Sequence, residues 1–312
     1  MSAAQGVLSG SGPLGMAVVD KEPGMTSHDV VARCRRIFGE RRIGHAGTLD
    51  PDATGVLLVG VGRFTRVLRF LGDTGKAYVG QVVLGTATST LDASGEVTGR
   101  WDMSHVGLDE VRAAAACLTG RIEQVPPMVS AVKIDGRRLH ELARAGLEVD
   151  RPPRPVVVDR FDVAPTAEPG VFEIEVDCSA GTYIRVLAAD LGVMLGGGAH
   201  LRGLRRTRVG SFGVAEARKL GELHPEHLLA PADAIRDLAR VDVDAAAAVR
   251  VRHGLGLDRV RAGATGSGPW AMVDDAGRLL AVYGPDGTDG MKAACVLEPA
   301  VGAGAGAGTA DE

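Results

Sequence analysis

The sequence predicts an α+β protein: a large mixed domain followed by a small one made mostly of strands. Three observations lead there. Over the first 240 residues, runs that alternate in polarity (76–85, 171–178) are interleaved with helical stretches (26–39, 108–118). From Val241 onward the chain becomes brief apolar runs between Gly/Asp turns, the pattern of a small β-barrel. The length of 312 residues, 45% hydrophobic and 24% charged, supplies one large core and one small one. The expected divisions are a flexible Gly/Ser leader (1–14), a main domain (15–239), a small domain (240–299) and an Ala/Gly tail (300–312).

Met16 to Asp20 is a short apolar run expected as a strand. Thr26 is placed to cap a helix with the acid Asp29 in its first turn. Val30, Val31, Cys34, Ile37 and Phe38 fall on one face of that helix, its arginines on the other, and Gly39 ends it. The segment 44–55 holds Gly44, His45, Gly47, Asp50, Pro51, Asp52 and Gly55. Its glycines permit tight backbone geometry, and Pro51 keeps Asp50 out of the helical region, so Asp50 stands on a rigid bend. Two readings are open at this point: a turn-stabilising Asp-Pro pair, or a carboxylate presented for attack or proton abstraction. A buried strand (56–61) follows, then a short helix with Phe64, Val67, Leu68 and Leu71 at helical spacing. Gly60 and Gly62 do not make a dinucleotide loop, because Thr65 stands where the third glycine belongs.

Residues 76–85 read as a strand with Tyr78, Gly80, Val82 and Leu84 on one face. Residues 86–98 are polar and turn-rich, and 108–118 form an Ala-rich helix closed by Gly120. Two strands (154–163, 171–178) come next. After Cys178 the chain turns into a helix with Thr182 as its cap. Arg185 then sits in a first helical turn, where the helix dipole disfavours a cation; such a broken rule is expected at a functional site or beside a compensating acid.

A net charge of −4 and a pI near 6.1 argue mildly against a general nucleic-acid binder. Local charge differs: Arg33, Arg35, Arg36, Arg41 and Arg42 form one basic run, and Arg202, Arg205, Arg206 and Arg208 another without an acid. A basic face suits a specific RNA partner, although 30 Arg against 5 Lys also fits a compositional bias. Cys34, Cys117, Cys178 and Cys295 are far apart, so neither a zinc site nor a disulfide framework is indicated, and reduced cytosolic thiols are expected. No apolar run approaches the ~18 residues of a membrane span, and residues 1–14 lack the regions of a signal peptide.

The string 44–55 resembles the G-H-x-G-x-L-D-P-x-A-x-G signature of the TruB family of pseudouridine synthases, which act on the T loop of tRNA. Further segments fit the same family: Lys76-Ala77-Tyr78 (K-x-Y), 126–136 (P-P-x-x-S-A-x-K-x-x-G), Cys178 to Arg185 (C-S-x-G-T-Y-I-R) and 199–210 (A-H-x-x-x-L-R-R-x-x-V-G). In the family's D-K-P-x-G segment this chain carries its proline one place late, at Pro23, with Lys21 and Gly24 in register. The resemblance covers residues 16–213. It implies a catalytic domain with a central mixed, largely antiparallel sheet flanked by helices, and a PUA-like RNA-binding module after it.

The resemblance also implies roles. Asp50 would be the catalytic carboxylate, Arg185 its partner, holding it charged by lowering its pKa. Tyr78 would be catalytic and stack on the target base, Tyr183 would contact that base, and Leu204 would press against it while the neighbouring arginines face phosphates. Lys21 and His45 are candidate substrate contacts, a structural role being the alternative for a lone histidine. Residues 137–144 could grip RNA backbone or form a solvated helix face. The implied reaction is conversion of uridine 55 to pseudouridine after the nucleotide leaves its stack. It needs no redox change and gains no atoms, so no metal or nucleotide cofactor is expected. Asp50 could attack C1′, add to C6 of uracil or remove a proton from C2′. The expected partner is the T stem-loop of tRNA, with no membrane, no obligatory protein partner, a monomeric state and a cytoplasmic location. The rivals are a non-catalytic tRNA-folding chaperone on the same scaffold and a guide-RNA-dependent synthase.

Overall fold

Alternating apolar residues generate the main sheet. The computed structural model describes residues 12–130, 133–134, 137–139, 147 and 149–298. The expected tail, nearly all of the leader and most of the stretch 131–148 lie outside the described residues. The architecture is α+β. Among the described residues, nine strands form one sheet whose principal order is β1 (Gly15–Lys21), β3 (Thr54–Val61), β12 (Ala199–Val209), β4 (Lys76–Leu84), β11 (Val171–Cys178), β10 (Arg154–Pro165) and β7 (Gly120–Gln124). β2 (Ile43–Ala46) and β13 (Phe212–Gly213) add to β3 and β12. The pairing of β12 with β3 is parallel and the others are antiparallel, so the sheet is mixed and largely antiparallel.

Among the described residues, three helices of more than two turns pack on this sheet. α1 (Ser27–Phe38) begins with a capping box in which Thr26 and Asp29 satisfy each other's backbone N–H, and it ends at Gly39 in the left-handed region. Its Val30, Val31, Cys34 and Phe38 pack against Ala17, Val19, Leu57 and Val59 of β1 and β3. α3 (Leu108–Cys117) and α4 (Ile184–Met194) cover the other half of the sheet around Val82, Val158 and Ile174. Val56, Leu57, Leu58, Val59 and Val61 of β3 are all fully buried, each worth about 1.5–3 kcal/mol, which anchors the strand that carries the Asp50 bend.

Several local expectations change. His45 lies in strand β2, which the glycine-rich spacing concealed. Between 62 and 72 the chain makes a 3₁₀ turn (Gly62–Arg66) and a one-turn helix α2 (Leu68–Gly72) rather than one helix. The polar segment 86–98 contributes a hairpin, β5 (Thr86–Thr88) with β6 (Val97–Arg100). α3 ends at Cys117 with Leu118 as its C-cap, and Gly120 starts β7 instead of closing the helix. Thr182 does not cap α4: its hydroxyl donates to the Ser179 carbonyl at 3.0 Å, and Tyr183 holds the N-cap position. Two-residue strands β8 (Lys133–Ile134) and β9 (Arg137–Arg138) pair with each other.

The C-terminal part forms a separate five-stranded sheet in the order β14 (Ala239–Val243), β16 (Trp270–Asp274), β17 (Leu279–Asp286), β18 (Gly290–Val296) and β15 (Leu257–Asp258). A helix α5 (Ala245–Arg252), absent from the sequence reading, packs on it. Ala271, Val273 and Leu279 join one core with Met16, Val18 and Val56 of the large sheet. Arg66 and Arg69 donate to the Val296 and Ala294 carbonyls and fasten the two sheets together.

Candidate active site

Five of the seven residues singled out in the sequence line one pocket of about 260 Å³: Asp50, Tyr78, Tyr183, Arg185 and Leu204. They come from the bend after β2, from β4, from the entry to α4 and from β12. The pocket forms because β12 lies between β3 and β4, which brings the Asp50 bend beside Tyr78.

The bend is held from several sides. Ser27 Oγ donates to the Leu49 carbonyl at 3.2 Å and accepts from the Leu49 N–H at 2.9 Å. The Pro51 carbonyl accepts from Lys21 Nζ at 2.8 Å and from the Gly24 N–H at 3.0 Å. Arg206, 1% exposed, donates to the carbonyls of Val56 (2.7 Å), Gly47 (3.0 Å) and Thr48 (3.4 Å). Gly55 has φ +101°, and a Cβ there would overlap the backbone of Arg206. Gly47 has φ +80° and turns the chain out of β2 into the bend.

Asp50 and Arg185 meet in a two-point contact. Arg185 Nε lies 2.9 Å from Asp50 Oδ2, and another guanidinium nitrogen donates to Asp50 Oδ1 at 3.2 Å. Arg185 is 4% exposed and also donates to the Thr90 carbonyl at 2.9 Å and the Val129 carbonyl at 2.8 Å. Asp92 Oδ2 stands 3.7 Å from Arg185 Nε, while its Oδ1 accepts from Thr90, from the Ser94 N–H and from the Ser94 hydroxyl. The cation in the first turn of α4 is therefore compensated by two acids and by carbonyls.

The direction of Asp50's ionisation differs from expectation. Burial in the crowded pocket raises its carboxyl above the usual aspartate value, Arg185 opposes this, and Asp92 adds to the rise. The guanidinium thus acts downward as expected but does not overcome desolvation. Tyr78 is 8% exposed, and burial raises its phenol, with Arg206 pulling the other way. Lys76, on the pocket wall and 6% exposed, donates to the Gly72 and Thr74 carbonyls, and burial lowers its ammonium to about 8.

Lys21 and His45 stand outside the pocket wall. Lys21 is fully buried beneath the bend, bonded to carbonyls, and burial lowers it to about 8 against the pull of Asp52 and Asp50. His45 packs edge-on against His28 at 5.8 Å, and burial, with His28 and Arg206 nearby, lowers it to about 4, so it is neutral near pH 7. The run 202–208 is not an open phosphate surface. Arg206 is internal, Arg205 pairs with Asp20 at 2.8 Å, Arg202 with Glu168 at 2.7 Å and Arg208 with Asp177 at 2.6 Å. The compensating acids come from other segments, which a local charge count does not see.

Sequence reasoning missed Asp92, the inward role of Arg206, and Gln124, whose side-chain amide bonds both backbone groups of Tyr183. A polar residue closing a strand just before Pro126-Pro127 was the available signal for Gln124. Leu204 forms a ridge between the main pocket and a smaller concavity of about 120 Å³ that Asp50, Asp92 and Arg185 also line.

Residues 35–184 match the model of the TruB family pseudouridylate synthase N-terminal domain, and 185–241 match the tRNA pseudouridylate synthase B C-terminal domain. The chain is 46% identical over 289 residues to tRNA pseudouridine synthase B of Rhodococcus jostii, covering 90% of this chain and 93% of that one. It is 53% identical over 214 residues to the protein of the same name from Mycobacterium avium, covering 68% and 69%. Among solved structures it resembles a chain of a Cbf5-Nop10-Gar1 complex, with TM-score 0.71 and 27% identity over 91% of this chain and 85% of that one.

Proposed function

Since the chain belongs to the TruB family and is a tRNA pseudouridine synthase, we propose that it isomerises uridine 55 of the T loop, with Asp50 as the carboxylate that acts on the nucleotide. The observation that carries this reading is the two-point contact between Arg185 and Asp50 at a pocket walled by Tyr78, Tyr183 and Leu204. Breaking the bond from C1′ to N1 leaves a uracil that must rotate without escaping before C5 bonds to C1′. An aromatic wall and an apolar ridge suit a flat base, and base stacking on an aromatic ring contributes about 1–3 kcal/mol. The guanidinium fixes both carboxylate oxygens, so Asp50 meets the everted nucleotide in one orientation. Burial keeps the Tyr78 phenol protonated, so it can serve at C5 only as a relay, passing its own proton toward uracil N1 as it takes the one from C5.

In this reading the small sheet, from Ala239 to Val296, is a PUA-like module that adds RNA contacts, and the expected division at 239/240 falls at the start of its first strand. The enzyme acts as a cytoplasmic monomer on tRNA alone. Among the described residues, no helix is long and apolar enough to cross a membrane. The test is tritium release from uracil-labelled T stem-loop transcript supplied without protein or RNA partners. The parent protein is expected to release tritium, and Asp50→Asn to release none while still binding tRNA. Turnover by the Asp50→Asn variant would remove Asp50 from the chemistry. Activity only with an added guide RNA would favour the guide-RNA-dependent rival.

A further inference from the structure

One buried polar side chain outside the pocket grips the backbone from which two pocket residues project. Gln124 closes β7 and is 2% exposed. Its Oε1 accepts from the Tyr183 N–H at 2.9 Å, and its Nε2 donates to the Tyr183 carbonyl at 3.3 Å. A backbone N–H can only donate, so the amide has one workable orientation, and both of its ends are used. Tyr183 is the N-cap of α4 and makes no side-chain capping bond of its own. Its carbonyl receives the first helical bonds, from the N–H groups of Val186 and Leu187 at 3.1 Å each. The residue at which the chain enters α4 is thus clamped on both backbone groups by one side chain. Two positions later stands Arg185. Five positions beyond Gln124 stands Val129, whose carbonyl accepts from the Arg185 guanidinium at 2.8 Å. One strand end and the residues just after it therefore set both the start of α4 and the tip of Arg185.

We propose that Gln124 is a positioning residue for pseudouridine formation: its amide fixes the first turn of α4 so that Tyr183 faces the base while Arg185 meets Asp50. This rests on the roles given above to Tyr183 and Arg185. The pocket depends on a bidentate contact, and a displacement of about 1 Å in such an arrangement costs about a hundredfold in rate. A clamp that acted only on stability would leave the rate of the folded enzyme untouched.

Three variants of the full chain test the proposal by single-turnover kinetics and tRNA binding, with thermal unfolding as the fold control. Gln124→Met keeps the volume and removes both bonds. Its rate is expected to fall about 30-fold or more, with the tRNA dissociation constant changed less than about threefold. Gln124→Glu keeps the acceptor for the Tyr183 N–H but turns a carboxylate oxygen toward the Tyr183 carbonyl. Protonation of that carboxyl restores a donor there, so the variant's rate relative to the parent should rise about tenfold as pH falls through its titration. A ratio that is flat at a reduced rate overturns the proposal, whatever the stability of Gln124→Met. So does a folded Gln124→Met variant within threefold of the parental rate. Arg185→Ala separates the two levels of inference. If it turns over normally, the reading of the site itself fails; if it is inactive while both Gln124 variants match the parent, only the role of Gln124 fails.

Discussion

Lys21→Met separates fold stability from site geometry. Lys21 Nζ is fully buried and donates to the Pro51 carbonyl at 2.8 Å and the Glu22 carbonyl at 3.0 Å. Burial lowers the ammonium from 10.5 to about 8, with Asp52 and Asp50 opposing. That depression corresponds to about 3 kcal/mol against the charged form in the folded protein. The two bonds from this charged donor together return about 3–6 kcal/mol, enough to offset that cost. Methionine occupies nearly the same space and removes the cost and the bonds together, so stability near pH 7 should fall by no more than about 3 kcal/mol. The site fares differently. The Pro51 carbonyl, one residue from Asp50, keeps only the Gly24 N–H, and the single-turnover rate should fall about 10- to 100-fold.

The pH dependence supplies the check on this reasoning. Between about pH 8 and 10.5 the folded state releases the Lys21 proton while the unfolded chain retains it. The unfolded state then binds more protons, so this residue makes stability rise with pH, by up to about 1.4 kcal/mol per pH unit. Lys76, lowered to about 8, acts in the same direction, whereas Cys34 and Cys178, pushed up to about 12 and about 11, act in the opposite one. The parental curve minus the Lys21→Met curve, from urea unfolding at successive pH values, isolates Lys21. A difference that stays flat across the window, or a variant with the parental rate, refutes the account.

Two further outcomes follow from the same geometry. Burial holds the Asp50 carboxyl above 3.8 against the pull of Arg185, so the acid limb of the single-turnover rate should lie above that value, and Arg185→Gln should move it to higher pH; a limb that stays in place would uncouple the pair. Gly55→Ala should cost more than about 2 kcal/mol in urea unfolding, because φ is +101° and the methyl group meets the Arg206 backbone; a parental midpoint would contradict that.

The strands were legible where polarity alternates against a single buried face. In β4 the residues Lys76, Tyr78, Val82 and Leu84 are buried and their neighbours are not, and period two is visible in any window of nine residues. β2 was hidden because its four residues include a glycine and a histidine and end in the bend. α5 was hidden because an Ala/Val/Arg run of eight carries little amphipathic contrast. The Asp50 bend was legible because Gly, Asp-Pro and Gly each restrict the backbone locally. The supports of that bend were not, since Lys21, Ser27 and Arg206 reach it across 22 to 159 positions of sequence.

The arginines show the same limit from the side of charge. Arg202, Arg205 and Arg208 read as a basic face because no acid lies among them, yet each finds a carboxylate on another strand or loop. Arg185 read as a misplaced cation because its acids, Asp50 and Asp92, are 135 and 93 positions away. In both cases the window saw one member of a pair. What distinguishes Arg185 is burial: it is 4% exposed with its guanidinium spent on a carboxylate that itself lines a pocket, whereas Arg202 and Arg208 stand in partly exposed pairs, where such contacts contribute about 0–1 kcal/mol. Breaking the Arg185 contact leaves Asp50 in a crowded site either protonated or charged but free to turn, and under the proposed role each outcome removes a charged carboxylate held in register. Breaking the Arg202 pair with Glu168 leaves two solvated side chains, and neither stability nor rate has reason to change.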